Sequence, residues 1–205
     1  MELLKRIPFQ VILAMGFGLL SHQSLADWYN PLSAVVNAVE AVAEDRSTSD
    51  IAVDAEILVK LTAEIADKLG AKAALTVSKD VYEQRVLITG VTATAKDKAK
   101  VEAIVRATAK VKKVINELQM PSPATDKTSD AAEEFVDDVV VEKKIYAKMA
   151  ADDVIHHTNW RYRSVGGVVY LFGRALSQAE FDKANALAKD TKNVKKLINH
   201  AVIRK

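Results

Sequence analysis

The stretch Val111–Asn116 (VKKVIN) occurs a second time in this chain as Val194–Asn199 (VKKLIN), 83 positions later. The same offset relates Gly90 to Gly173. Over the 31 positions that this offset aligns without a gap, ten residues are identical, so the similarity extends well beyond the two short stretches. A fixed internal period indicates repeated structural units. The sequence therefore predicts two copies of one small domain.

Length and composition agree with this interpretation. A chain of 205 residues can hold two domains of about 70 residues each, near the lower limit for a self-sufficient core. The net charge of +2 does not imply a bulk polyanion as partner. The chain has no cysteine, which excludes disulfides, thiolate metal sites, cysteine nucleophiles and a lipid-modified cysteine.

The first 26 residues have the pattern of a secretory signal peptide. Lys5 and Arg6 form a basic region, Val11–Leu20 is apolar, and Ser24–Ala26 places small residues at a cleavage site. The apolar run is shorter than the ~20 residues that a membrane-spanning helix needs. We expect cleavage after Ala26 and a periplasmic location. The alternative is a buried N-terminal helix.

Residues 27–46 are predicted to form a short amphipathic helix. Asn30 suits the N-cap and Pro31 the first helical position, and Leu32, Val35, Val36 and Val39 then recur at helical spacing. This helix packs on the first domain, or contacts a membrane or a partner.

The two domains share one predicted plan, with domain 1 at 47–120, a stiff linker at 121–129 and domain 2 at 130–205. Apolar periodicity, turn residues and helix caps predict helix, two strands, helix and strand in each copy. The predicted elements are Ile51–Leu69, Leu75–Tyr82, Arg85–Val91, a helix opened by Thr94 and Asp97, Val111–Met120, and then Ala132–Ala151, Thr158–Val165, Val168–Arg174, a helix opened by Ser177 and Glu180, and Val194–Ile203. The fold class is α+β: two tandem αββαβ domains, each a three-stranded sheet with two helices on one face.

The two hairpin turns differ in sequence. Gly166-Gly167 suits the positive φ angles of a two-residue turn, whereas Glu83-Gln84 does not. We therefore expect a looser or differently paired first hairpin.

Val169–Gly173, the Ser177 and Glu180 cap and Val194–Asn199 resemble the BON domain of bacterial envelope proteins, and Val86–Gly90 with Val111–Asn116 carries the resemblance in the first copy. The resemblance implies the αββαβ fold and a non-catalytic role: binding anionic phospholipid or other envelope components, and supporting envelope integrity or the osmotic stress response. Of the dual-BON types, one is an outer-membrane lipoprotein and the other is soluble in the periplasm. Without an acylatable cysteine, this chain resembles the soluble type.

Strand alternation in the second copy separates two sets of side chains. Trp160 and Tyr162 should face the helices as core aromatics. Arg161, Arg163, Tyr170 and Phe172 should lie on the opposite face, which no helix covers. A bare, partly apolar sheet face usually contacts something. The candidates are the other domain, the N-terminal helix, a lipid headgroup or a protein ligand.

Charge is unevenly distributed within the second copy. Residues 130–153 carry a balance of −5 and residues 154–205 one of +7. Lys195 and Lys196 belong to a basic surface around the last helix and strand, where each cation contributes ~1 kcal/mol beside an anionic bilayer. The alternative is an ordinary solvated surface. The acidic start of the preceding helix, Glu133 to Asp138, would repel anionic headgroups.

No catalytic, metal or cofactor motif is present. His156-His157 beside Asp152-Asp153 lacks the convergent spacing of a metal site. Aromatics on a sheet can stack nucleic-acid bases, but export argues against that partner. The sequence thus predicts a non-enzymatic periplasmic protein, without cofactor, that associates weakly with anionic phospholipid or envelope surfaces. The alternative is a protein-interaction or chaperone-like stress factor that uses the bare sheet face to bind periplasmic proteins.

Overall fold

The computed structural model describes residues 44–121 and 128–204, except for the side chains of residue 72 and of residues 128–136. The predicted signal peptide, nearly all of the predicted helix at 27–46 and most of the linker lie outside these residues. Within the described part, no helix combines the length and the apolar character needed to cross a bilayer. Glu44–Lys205 forms one compact unit, which contains both repeats.

The first repeat follows the predicted order with one added helix. Ser47 caps its first helix, since the Ser47 hydroxyl accepts the Asp50 backbone N–H at 3.1 Å, and the helix ends at Gly70 with φ 88°. Its elements are α1 (Thr48–Leu69), α2 (Ala71–Thr76), β1 (Val77–Tyr82), β2 (Arg85–Gly90), α3 (Ala95–Ala107) and β3 (Lys113–Asn116).

The second repeat has the same plan. Ser177 caps its second helix by accepting the Glu180 N–H at 3.1 Å, as Thr94 accepts that of Asp97 in the first repeat. Its elements are α4 (Thr128–Ala150), a 3₁₀ turn (His157–Asn159), β4 (Trp160–Val165), β5 (Val168–Ala175), α5 (Gln178–Lys189), β6 (Lys196–Asn199) and β7 (Val202–Ile203). The predicted α+β class and tandem αββαβ plan are confirmed.

The two sheets share topology and pairing. In the first repeat the strand order is β1-β2-β3, with β1 antiparallel and β3 parallel to the central β2. In the second repeat β5 is central between β4 and β6, and β7 adds two residues alongside the end of β5. Each repeat packs its helices on one face of its sheet, around one apolar core. The core members include Ile57, Leu61, Val86, Ile88 and Val105 in the first repeat, and Ile145, Trp160, Tyr162, Leu171 and Ala184 in the second.

Some predicted element bounds were wrong. Leu75 belongs to α2 rather than to the first strand, and the final strands are shorter than predicted. Asn116 and Asn199 interrupt the pairing, because each side-chain oxygen accepts the N–H two residues ahead, on Leu118 at 3.1 Å and on Ala201 at 2.7 Å. Pairing resumes at Gln119 and at Val202. This local bond competes with continued strand pairing. It also accounts for the asparagine that ends both copies of the repeated stretch.

The expectation of a looser first hairpin was wrong. Tyr82 pairs with Arg85 across the turn just as Val165 pairs with Val168. Glu83 and Gln84 adopt the positive φ angles, 55° and 60°, that such a turn requires. A left-handed conformation costs a non-glycine residue about 1–2 kcal/mol.

A carboxylate from the first helix stabilises each turn. Asp54 accepts the backbone N–H groups of Glu83 and Gln84 at 2.7 and 2.8 Å. Asp138 does the same for Gly166 and Gly167, at 2.7 and 2.9 Å. These charge-assisted bonds offset the strain of the first turn.

The repeated glycines are required by the close approach of the backbone that precedes the neighbouring strand. Gly90 and Gly173 have φ angles of 109° and 115°. A Cβ atom on either would lie 2.1 Å from a backbone carbonyl oxygen of the neighbouring segment, that of Thr76 or Asn159. No side chain fits there, so both copies keep glycine.

Lys110 offers a test of backbone strain. It has φ 72° before β3, and Asn193 occupies the equivalent position with φ 75°. We expect Lys110→Gly to raise the free energy of unfolding by about 0.5–1 kcal/mol, because glycine adopts this conformation without steric cost. Urea denaturation measures the change. Asn193→Gly is the control and should gain less, because asparagine tolerates positive φ. A lower unfolding midpoint for Lys110→Gly would contradict the interpretation.

Candidate functional site

The sheet face predicted to be bare in the second repeat is covered by the first repeat. Tyr170 and Phe172 point away from their own helices, as predicted, but are 2% and 0% exposed. They pack against the corresponding face of the first sheet, so the alternative that the other domain covers this face is the one the structure shows. The cluster between the sheets contains Tyr82, Leu87, Ile115, Tyr170 and Phe172, flanked by Val165, Val168 and Ile198.

Arg163 lies inside this contact and pairs with Asp80 of the first repeat. Its Nε and Nη2 donate to the two carboxylate oxygens of Asp80, each at 2.8 Å. A bidentate arginine–carboxylate pair fixes orientation as well as adding attraction. Burial alone would lower the pKa of Arg163, but the charges of Asp80 and Glu142 outweigh it and raise that pKa. The guanidinium therefore stays charged within the interface.

Arg161 is held at the edge of the same interface. It pairs with Glu44, which also pairs with Arg46. The guanidinium carbons of Arg46 and Arg161 lie 4.3 and 5.5 Å from the ring centroid of Tyr82. Burial raises the pKa of Tyr82 to about 12. Cations over this ring add attraction to its apolar burial.

The first repeat also contributes an arginine to the interface. Arg85 lies 4.8 Å above the Phe172 ring and donates to the carbonyl oxygens of Gly173 at 2.7 Å and His200 at 3.2 Å. Burial lowers the pKa of Arg85. Gln119 donates to the Val165 carbonyl oxygen at 3.2 Å on the other side of the interface. The sequence did not predict these partners. Strand alternation gives the sheet face on which a residue lies, but not the residues that this face contacts.

Glu142 is a mostly buried carboxylate next to this interface, with 17% of its side chain exposed. It lies 3.9 Å from Arg163 and accepts the Ser164 backbone N–H at 2.8 Å. Burial raises the pKa of Glu142 to about 7, and the nearby charges of Asp80 and Asp138 add to the effect.

Lys195 and Lys196 occupy a different surface, and both are exposed. They lie with Lys189 and Lys192 where α5 passes into β6, and we term these four residues the lysine edge. Among the described residues, no carboxylate pairs with Lys189, Lys192 or Lys196, and the Lys195 ammonium lies 3.1 Å from the Gly166 carbonyl oxygen.

The lysine edge is more basic than its counterpart in the first repeat. Lys112 and Lys113 are the exposed equivalents of Lys195 and Lys196. The equivalent of Lys192, however, is alanine, and Arg106, the equivalent of Lys189, pairs with Glu102 at 2.6 Å. The second copy therefore presents more cations without a carboxylate partner.

The paired histidines contact Glu180 and Tyr146. His156 Nδ1 lies 3.7 Å from Glu180, which is buried and also accepts the Trp160 indole N–H at 3.0 Å and the Leu176 backbone N–H at 2.7 Å. Glu180 thus acts as a structural acceptor. Among the side chains that the structure describes, which leave out those of residues 128–136, no group of three potential metal-ligating residues converges.

The comparisons identify the family. The family model for the BON domain matches residues 53–121 and again residues 137–205. The chain belongs to the BON domain family, which is generally non-enzymatic and is associated with phospholipid binding and with stress and envelope proteins.

One curated relative and two solved structures are similar to the chain. An uncharacterized protein in the gshII 5′ region of Anaplasma centrale is 34% identical over 151 residues, covering 74% of this chain and 95% of that protein. Two structures of CdsD, a structural protein of the type III secretion system of Chlamydia trachomatis, are 13% identical and cover 73% of this chain and 92% and 98% of theirs. Their TM-scores are 0.30 and 0.31.

The covered sheet face gives a first test. Phe172→Asp should lower the free energy of unfolding by about 4 kcal/mol, because it replaces a fully buried ring with a buried charge. Guanidinium denaturation measures the loss. The control Val59→Asp changes a side chain that is 69% exposed and should stay within about 0.5 kcal/mol of wild type. Equal stability of Phe172→Asp and wild type would show that the face is open.

Glu142 gives a second test. Its pKa is about 7 in the folded chain, against 4.5 as the ordinary value. The unfolded chain therefore loses this proton first, and stability that is present below pH 4.5 should fall as the pH rises to 7, by roughly 3 kcal/mol. Denaturation of Glu142→Gln across this range should lack that decline.

The matched control is Glu56, where hydrogen bonds to Lys110 and Lys60 lower the pKa to about 2. Its contribution is lost only as the pH falls from 4.5 towards 2, so Glu56→Gln should leave the profile between pH 5 and 7 unchanged. Identical profiles for wild type and Glu142→Gln would rule out the assignment.

Proposed function

We propose that this protein is a non-catalytic periplasmic binding protein that associates weakly with anionic phospholipid surfaces of the cell envelope through the lysine edge, and so supports envelope integrity or the osmotic stress response. The observation that carries the proposal is the cluster of exposed lysines at one edge of the second repeat. Membership of the BON domain family supports it, because the family is associated with phospholipid binding.

The lysine edge is compact. The N–H of Thr191 donates to the Ala188 carbonyl at 3.2 Å, and that of Val194 donates to the Thr191 carbonyl at 3.1 Å. The Thr191 hydroxyl also donates to the Leu187 carbonyl at 2.9 Å. These bonds fold the connection tightly, so its lysines lie on one short surface segment. Asp190 is the carboxylate in this segment, and the four cations outnumber it.

The expected affinity is low. At ~1 kcal/mol for each lysine near an anionic surface, four lysines contribute about 4 kcal/mol. That corresponds to a dissociation constant of about 1 mM, which salt would weaken further. Such an interaction suits a protein that samples the membrane surface without anchoring in it.

The sheet-face residues predicted for lipid binding make contacts within the chain. Arg161 and Arg163 pair with Glu44 and Asp80, while Tyr170 and Phe172 are buried between the repeats. The same burial leaves the chaperone-like alternative without the surface on which it depended. We therefore assign the association to Lys195 and Lys196 with their two neighbours.

Vesicle co-sedimentation tests the proposal. The chain without residues 1–26 should sediment with phosphatidylglycerol vesicles at low salt, and not with phosphatidylcholine vesicles or at high salt, because the attraction is electrostatic. Lys195→Glu/Lys196→Glu should lower the bound fraction at least about fivefold.

The matched control is Lys112→Glu/Lys113→Glu, which makes the same change at the equivalent positions of the first repeat. It should lower the bound fraction less than twofold, because the first repeat presents only two lysines at this position where the lysine edge presents four. Absence of wild-type binding to phosphatidylglycerol at low salt would refute the proposal. Equal loss in both variants would refute the assignment to the second repeat.

A further inference from the structure

Two contacts between the repeats join residues that are each other's counterparts. Arg163 pairs with Asp80, and His200 Nε2 lies 2.8 Å from a carboxylate oxygen of Glu117. Both pairs are separated by 83 residues, which is the offset of the repeat itself. In a twofold-symmetric dimer, only residues on the symmetry axis contact their own equivalents. The two repeats are therefore packed about a local twofold axis.

Strand contacts and the apolar cluster of the interface follow the same symmetry. Strand β1 contacts β5, and its symmetry mate, the contact of β2 with β4, is also present. The apolar cluster contains both members of several equivalent pairs: Tyr82 with Val165, Leu87 with Tyr170, and Ile115 with Ile198. Each repeat thus uses the same face that a symmetric dimer would use.

The residues that meet on the axis differ in charge between the two repeats. In a dimer of identical repeats, Asp80 would meet a second Asp80, or Arg163 a second Arg163. Either arrangement would place like charges at a buried contact, which costs several kcal/mol. Glu117 against its copy would add a second like-charge contact of the same kind. In the chain as it stands, both axis contacts instead join an acid to a base.

We propose that the Asp80–Arg163 and Glu117–His200 pairs make each sheet face specific for the complementary repeat and exclude pairing with an identical repeat. The partner that either face accepts is the other repeat, supplied by the same chain or, by exchange, by a second copy of the chain. Neither face binds its own copy. This inference does not depend on lipid binding.

Charge reversal in the full chain tests the proposal. Asp80→Arg and Arg163→Asp should each lower the ratio of folded to unfolded chain at least about a hundredfold. The double variant should have a ratio of folded to unfolded chain at least about tenfold higher than that of either single variant. Recovery should be partial because Glu142 remains 3.9 Å from position 163. Denaturation of the four proteins gives the coupling, and its absence would overturn the proposal.

Mixing the two single variants tests specificity. In the mixture, Asp80 of an Arg163→Asp chain can pair with Arg163 of an Asp80→Arg chain. The two substituted positions carry opposite charges and can pair with each other in the same way. The mixture should therefore form a 1:1 dimer by exchange, while each variant alone stays monomeric, as measured by light scattering after size exclusion. The proposal would be overturned if one variant alone formed as much dimer as the mixture does.

A second pair of substitutions tests the proposal with a smaller risk of unfolding the chain. Glu117→His and His200→Glu alter the second axis contact, whose side chains are 27% and 24% exposed. The double exchange should be more stable than the sum of its single changes, and strict additivity would count against the proposal. Glu56→Lys/Lys110→Glu is the control for an exposed pair off the axis, joined at 2.6 Å, and should show less than about a threefold coupling.

Discussion

The structure depends on the contact between the two sheet faces. A three-stranded sheet with helices on one side leaves its other side to water, and in this chain that side carries Tyr82 and Leu87 in one repeat and Tyr170 and Phe172 in the other. Joining the faces removes all four from solvent. The Arg163–Asp80 pair then fixes how the sheets are aligned, because a bidentate ion pair tolerates little displacement.

The residues that the two repeats share are framework residues. Gly90 and Gly173 permit close approach of a neighbouring carbonyl, and Asn116 and Asn199 interrupt the strand pairing. The shared threonine of each α-to-β connection, for example Thr108, returns its hydroxyl to a helix carbonyl. Duplication preserved what each domain needs to fold. The sheet faces and the basic edges differ between the copies, and there one repeat meets the other or the surroundings.

The interface also changes how the charge of the second repeat should be interpreted. The balance of +7 over residues 154–205 suggests a broadly basic surface. Arg161, Arg163 and Arg174, however, pair with carboxylates of residues 44–83, and Lys183 pairs with Asp152. Much of the excess is therefore neutralised within the molecule, and among the described residues the lysine edge is an exposed group of cations.

The sequence by itself determined the duplication, the α+β class, the order of elements and the side of the sheet on which Trp160 and Tyr170 lie. These follow from local rules: periodicity, capping and strand alternation act over a few residues, so one chain is enough to infer them. Tertiary structure decided what covers the face of Phe172, which carboxylates pair with Arg161 and Arg163, and how Glu83 and Gln84 form a tight turn. Each of these depends on a partner 29 or more residues away, such as Asp54 for the turn. The offset of 83 linked Asp80 to Arg163 in the sequence, but only the packing showed that these equivalent positions meet on an axis.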